Sequence, residues 1–175
     1  MIILAIWIES NGSVIYKQKR VGLNRVEFNI FKFRTMKQNS DKEGLLTIGS
    51  TDRRVTDVGF VLRKTKLDEL PQLFNVLIGN MSLVGPRPEV KKFVDLYDEE
   101  QLQILSVKPG ITDYASIEFA DESTILETFE EPEKGYVNEI MPKKLALNLE
   151  YIKNRSLGGD FKIILLTLLR IFKKK

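Results

Sequence analysis

The sequence contains neither cysteine nor histidine. Without cysteine, disulfides, thiolate nucleophiles and cysteine-ligated zinc are excluded, and a reducing compartment is compatible with the chain. Without histidine, imidazole acid–base chemistry, Ser–His and Cys–His nucleophiles and histidine metal sites are excluded too. An enzyme built from these 175 residues must work with carboxylates, Lys, Arg, Tyr, hydroxyls or a hard cation such as magnesium. Long apolar runs are scarce. The opening Met1–Ile8 is apolar but far shorter than the roughly 20 residues a spanning helix needs. It has no basic n-region and no small-residue cleavage site, so it does not read as a cleavable signal. Internal repeats, low-complexity tracts and a domain boundary are also missing, which leaves residues 1–175 as a single domain.

What is present suffices for one core, with 43% hydrophobic residues. The net charge of +3 is unevenly spread. Lys17, Lys19, Arg20, Arg25, Lys32, Arg34 and Lys37 crowd the first part, Lys173–Lys175 close the chain, and Asp121–Glu133 is acidic. This asymmetry fits an anionic partner (phosphate, lipid headgroup or nucleic acid) or a solvated basic face.

Val14–Tyr16 and Glu27–Phe33 read as strands of a hairpin turning through Gly22-Leu23-Asn24. Lys37–Asp52 is polar and reads as a loop. Thr56 or Asp57 can cap a helix over Val58–Lys64. Leu67, Leu70, Phe74 and Leu77 recur at helical spacing and predict a second helix from Leu67 to Ile78, ended by Gly79. Ser82–Pro88 is turn-rich. Glu89–Ser106 reads as one amphipathic helix with Phe93, Val94, Tyr97, Leu102 and Leu105 on its apolar side, and Lys108-Pro109-Gly110 breaks the chain. Pro142 opens a helix over Lys143–Asn154. Asp160 can cap a last helix, Phe161–Phe172, which is apolar on most faces and suits either a core or an anionic membrane surface.

Chemistry concentrates in Thr65-Lys66-Leu67-Asp68-Glu69-Leu70-Pro71-Gln72-Leu73. Proline belongs in the first turn of a helix, so Pro71 places Asp68 and Glu69 at the helix start, where free N–H groups favour phosphate. Two adjacent carboxylates there would repel phosphate, unless one attacks phosphorus and a divalent cation screens the charge. The plainer reading makes Asp68 an N-cap, or part of a capping box with Thr65. In Ser82-Leu83-Val84-Gly85-Pro86-Arg87-Pro88-Glu89, two prolines hold Arg87 stiffly. Its fork can then grip phosphate bidentately, or simply point outward from a surface turn. Arg63 lies just upstream of the carboxylates, and alternation puts Lys32 and Arg34 on one side of a strand.

Gln18-Lys19-Arg20-Val21-Gly22, Lys32-Phe33-Arg34-Thr35-Met36, Leu62-Arg63-Lys64-Thr65, Leu67–Leu73, Asn75-Val76-Leu77, Met81–Glu89 and Lys108-Pro109-Gly110-Ile111-Thr112 occur in this order. Through them the chain resembles the monotopic polyprenyl-phosphate phosphoglycosyl transferases, the bacterial sugar transferase family. The resemblance implies an α+β fold, mainly helical, with a small β-hairpin and amphipathic helices resting on the cytoplasmic face of the bacterial inner membrane. It implies that Asp68 attacks the β-phosphate of a UDP-sugar and releases UMP. The aspartyl phosphosugar would then pass to polyprenyl phosphate, usually undecaprenyl phosphate. Glu69 would either deprotonate the acceptor or help to position metal. Magnesium is the implied cofactor, with Asp68 as its ligand. Arg63 and Arg87, and then Lys32 and Arg34, are the candidate phosphate-binding residues.

Two departures stand out. Members usually begin with a longer apolar segment broken by proline, whereas residues 1–10 here read as a remnant of it and no proline precedes Pro71. Ser10-Asn11-Gly12-Ser13 stands where a proline-rich turn is common. Two other functions fit parts of the sequence. A nucleic-acid-binding domain could use Phe28, Phe31 and Phe33 as a stacking platform, but alternation puts Phe31 and Phe33 opposite Lys32 and Arg34. A catalytically inactive membrane scaffold would be expected to show decay at Asp68, Glu69, Arg63 or Arg87, and none is visible.

Overall fold

A computed structural model describes residues 1–10, 12–40, 44–49 and 52–173. Asn11 of the expected turn, residues 41–43, 50 and 51 of the expected loop, and Lys174 and Lys175 of the terminal cluster lie outside the described residues.

The predicted hairpin is formed by antiparallel strands β1 (Ile15–Val21) and β2 (Glu27–Phe33), paired from Ile15 opposite Phe33 to Val21 opposite Glu27. β1 is longer than the three residues expected. A tight turn with Asn24 and Arg25 at positive φ joins the strands. Strand alternation sends Arg20 and Lys32 to one side of this ribbon, and both find carboxylates there.

Helix α1 (Ile2–Glu9) packs on α2 (Asp57–Lys64). Thr56 is the cap of α2, accepting from the Gly59 amide. Gly59 lies so close to the Thr35 carbonyl that a Cβ would collide with it, and this brings α2 against the end of the hairpin. The predicted helix from Leu67 is split into a 3-10 turn, Leu67–Glu69, and α3 (Gln72–Leu77), with Pro71 at the junction. That placement satisfies proline, whose missing N–H costs nothing in a first turn.

A parallel pair, β3 (Ser82–Val84) and β4 (Gly110–Thr112), has no counterpart among the sequence expectations. The expected helix over Glu89–Ser106 is corrected. Only α4 (Lys91–Val94) and a 3-10 stretch, Gln101–Ser106, form. Asp98 and Gln101 exchange side-chain bonds with each other's amides, a local alternative to the helix ladder that breaks it. The apolar set is largely retained even so: Phe93, Val94 and Leu105 are buried.

Short helices α5 (Tyr114–Glu118), α6 (Glu122–Leu126) and α7 (Pro132–Gly135) lead through a π-helical turn into α8 (Met141–Asn154). Pro142 sits in its first turn as predicted. Met141, Leu145, Tyr136, Leu126, Ile104 and Phe93 form the main core. The last helix, α9 (Leu157–Lys173), starts before Asp160, so Asp160 does not cap it; its carboxylate accepts from the Tyr151 hydroxyl instead. Ile163 is buried, while Leu157, Phe161, Leu165, Leu168, Leu169 and Phe172 face outward. The result is the expected α+β, mainly helical single domain. Among the described residues no helix is long and apolar enough to cross a membrane.

Candidate active site

Apart from Pro71, the buried side of the Leu67–Leu77 segment is polar. Asp68, Gln72 and Asn75 are buried, whereas Leu67, Leu70, Leu73, Phe74, Leu77 and Ile78 are exposed. Asn75 explains how such an element holds its place. Its Oδ1 accepts from the Phe31 amide at 3.0 Å and its Nδ2 donates to the Asn29 carbonyl at 2.8 Å. One amide side chain thus fastens α3 to β2, the strand that carries Lys32.

Glu69 stands at the centre of the resulting cluster. Arg87 donates to both of its oxygens, Nη2 to Oε1 at 2.5 Å and Nη1 to Oε2 at 3.1 Å. Lys32 Nζ adds a contact to Oε1 at 3.3 Å. Burial alone would raise the Glu69 carboxyl, but Arg87 and then Lys32 outweigh it and hold it well below the usual carboxylate range. The same contact raises Arg87. Lys32 is pulled down to about 8 by burial, which the attraction of Glu69 offsets only in part.

Asp68 has the opposite environment. Burial raises its carboxyl, and Lys32 offsets this incompletely. Its Oδ1 is buried without a hydrogen-bond partner among the described residues. Adjacent carboxylates with pKa values pushed apart are the pattern expected where two acids have different tasks. Asp68 also provides the test for magnesium. No group of three or more acidic, His or Cys residues able to hold a metal occurs among the described residues. Magnesium, however, commonly takes one or two carboxylates and completes its shell with water and substrate phosphates. The Asp68 carboxylate, with Oδ1 unpartnered among the described residues, fits that requirement.

The sequence-predicted phosphate ligands separate here. Lys32 and Arg87 converge on Glu69. Arg63 donates Nε to the Thr35 hydroxyl at 2.9 Å and Nη1 to the Thr47 hydroxyl at 3.1 Å, tying α2 to the preceding loop. It remains within electrostatic range of Asp68, and burial lowers its pKa. Arg34 lies just past the end of β2, with its guanidinium alongside Gly12.

Two residues left outside the predicted site matter here. Asp113, fully buried, accepts from the Arg87 amide through Oδ2 and from the Ser116 amide through Oδ1, capping α5 and fixing the Arg87 backbone together. Its cap position was the available signal. Glu89 accepts from Arg20 at 2.9 Å, from the Val90 amide at 2.7 Å and from the Tyr136 hydroxyl at 2.5 Å. It locks the Pro86-Arg87-Pro88 segment to the hairpin, and the Val21 amide donates to its carbonyl.

The bacterial sugar transferase family model matches residues 1–174. The chain belongs to the bacterial sugar transferase family. Among its relatives is a UDP-N-acetylgalactosamine-undecaprenyl-phosphate N-acetylgalactosaminephosphotransferase from Aeromonas hydrophila, 40% identical over 92% of this chain and 36% of the relative. Two UDP-glucose:undecaprenyl-phosphate glucose-1-phosphate transferases are each 37% identical over 99% of this chain. One is from Xanthomonas campestris pv. campestris and is covered over 34% of its length; the other, from Escherichia coli (strain K12), is covered over 36%. The chain thus spans about a third of the length of these curated sugar transferases.

Proposed function

We propose that this chain is the catalytic part of a phosphoglycosyl transferase that moves a sugar-1-phosphate from a UDP-sugar to undecaprenyl phosphate or a similar polyprenyl phosphate. The observation that carries the reading is the divided carboxylate pair: Asp68 raised, with Oδ1 unpartnered among the described residues, and Glu69 clamped by Arg87 and Lys32 and lowered. The names of the relatives support the reaction class, and their donors differ.

In the first step a carboxylate oxygen of Asp68 attacks the β-phosphorus of the UDP-sugar. The bond from that phosphorus to the bridging oxygen breaks, and UMP departs with the oxygen and the electron pair. An oxygen of the polyprenyl phosphate then attacks the phosphorus of the aspartyl phosphosugar. The acyl–phosphate bond breaks, Asp68 is restored as carboxylate, and polyprenyl-diphosphate-sugar is formed. Arg87 and Lys32 present fixed positive charge to the diphosphate, as transfer of a phosphoryl group requires. Glu69, held low by two cations, is a poor base, and we assign it the task of orienting Arg87 and Lys32. Arg63 contributes positive potential to the Asp68 side while bracing the loop. Asp68 is the residue that would hold magnesium, and a bound magnesium would supply positive charge to screen the two anions.

The outward apolar residues of α1, α3 and α9 support a seat on the membrane surface, where the lipid acceptor resides. Ile3, Leu4, Trp7 and Ile8 on α1, Phe74 and Leu77 on α3, and Phe161, Leu165 and Phe172 on α9 are all exposed. α3 and α9 both pack on β3. Such surface is unfavourable in water and favourable against acyl chains. The product would be the first lipid-linked sugar of a capsule, exopolysaccharide, O-antigen or glycoprotein, made at the cytoplasmic face.

The test is UMP release from a panel of UDP-sugars with undecaprenyl phosphate and magnesium. Asp68→Asn is expected to lower the rate by at least about a thousandfold. No UMP from any donor with the full-length, membrane-reconstituted protein would sink the reading in favour of an inactive scaffold.

A further inference from the structure

Gln72 is the one fully buried side chain among the described residues that has every polar atom unpartnered. It is completely shielded from solvent, and neither its Oε1 nor its Nε2 has a hydrogen-bond partner there. A buried carboxamide with no partner is costly, and an aliphatic side chain of the same length would fill the space without that cost. Such a group calls for a functional explanation.

Its place in the chain supplies one. From the 3-10 turn that carries Asp68, the backbone continues through Leu70 and Pro71, both right-handed helical, into the start of α3 at Gln72. Residues four apart on a helical segment share a face. Asp68, Gln72 and Asn75 are the buried polar residues of that face, which Pro71 shares, opposite the exposed Leu70, Leu73, Phe74 and Leu77. Asn75 is fully engaged with β2. That leaves two unsatisfied groups one turn apart: an acceptor, Asp68 Oδ1, and an amide that offers two donors.

We propose that Gln72 is the positioning residue for Asp68. Its Nε2 donates to Asp68 Oδ1 in the donor-loaded state, fixing the carboxylate rotamer so that the other oxygen faces phosphorus. This rests on the proposed role of Asp68 as nucleophile. A carboxylate on a free torsion spends much of its time misaligned, and fixing one oxygen removes that loss. Small misplacements of a reacting group cost up to about a hundredfold in rate. The choice of amide over a charged donor also follows from the surroundings. Lys32 from β2, Arg63 from α2 and Lys66 on the same turn already place positive charge around Asp68, so a neutral donor orients the carboxylate without neutralising it further.

The full chain carrying Gln72→Met, a change that keeps length and removes the amide, is compared with the parent and with Asp68→Asn. The readouts are the thermal midpoint and the kcat and KM for UMP release from the UDP-sugar that the parent turns over. The expected result is a midpoint equal to or above the parent's, KM within about twofold, and kcat reduced about 10- to 100-fold. Gln72→Glu, which sets an acceptor against Asp68, is expected to lose at least as much kcat. Parent-like kcat in Gln72→Met overturns the proposal. So does a raised KM at unchanged kcat, which would mean a ground-state contact to the donor. A lowered midpoint overturns it too, because the amide would then be bonded within the fold. If Asp68→Asn keeps UMP release, the nucleophile reading itself fails; if it loses release while Gln72→Met runs normally, only the positioning role fails.

Discussion

Two helical segments of this protein use the same spacing with largely opposite chemistry. In α8, the buried stripe is Met141, Leu145, Asn148 and Tyr151, apolar except for the asparagine, and the exposed positions are mainly polar. In the Leu67–Leu77 segment, Asp68, Gln72 and Asn75 follow the same pattern inward, and the outer positions are leucine and phenylalanine. α8 is the ordinary case of a helix with water on one side and a core on the other. The α3 segment is turned inside out. Its inner stripe carries Asp68 and the Asn75 bonds to β2, and its outer stripe is exposed apolar surface. Periodicity therefore reveals that a helix has two faces. Which face is inner depends on what lies outside.

The sharpest way to break this comparison is to truncate one leucine in each helix. Leu145→Ala, in the main core, is expected to cost about 2–5 kcal/mol in denaturant unfolding. Leu77→Ala, 80% exposed, should stay within about 0.5 kcal/mol. Leu77→Asp should likewise keep the fold yet reduce sedimentation with anionic vesicles. Equal losses of stability would remove the distinction between the two helices. Next in size is Asn75→Leu, which strands the Phe31 amide and the Asn29 carbonyl. The expected destabilisation is about 3 kcal/mol, read from the same unfolding curves; a neutral result would mean that α3 is held by its apolar face after all.

A smaller effect follows from Arg87→Lys. The variant keeps the charge but loses the two-pronged grip on Glu69. Donor turnover (kcat/KM) should fall about tenfold, with little change in thermal midpoint. The smallest is a titration. An amine whose pKa is lowered becomes neutral, and so reactive, at a lower pH. Lys32, at about 8 against an ordinary 10.5, should be half-maximally acylated near pH 8 in peptide-resolved labelling.

Residues whose chemistry is unusual for their setting were legible in the sequence. Asp68 and Glu69 stood out because proline fixed where they fall on a helix, and Arg87 because prolines flank it. Lys32 was legible as a charge on a strand, though the strand could not say that it would meet Glu69, 37 residues away. Arg63 was identified as a cation near the carboxylates, yet its hydroxyl partners come from positions 28 and 16 residues distant. Asp113 and Glu89 stayed outside the predicted site for the same reason, since their partners arrive only with the tertiary fold. The hairpin could be read from its alternation. β3 and β4 could not, because three residues carry too little pattern. The split of Glu89–Ser106 was hidden because its apolar residues keep a helical period even where Asp98 and Gln101 interrupt the backbone.

The Glu9 carboxylate, at the end of α1, accepts from the Asp57 amide at 2.7 Å and from the Val58 amide at 3.1 Å, where α2 begins. A negative charge on those free N–H groups is a natural clasp. Its mechanical consequence concerns Arg63, at the far end of α2. The clasp ties the end of α1 to the start of α2, so a change in the tilt of α1 is expected to carry α2 with it, and with α2 the Arg63 guanidinium that bonds Thr35 and Thr47.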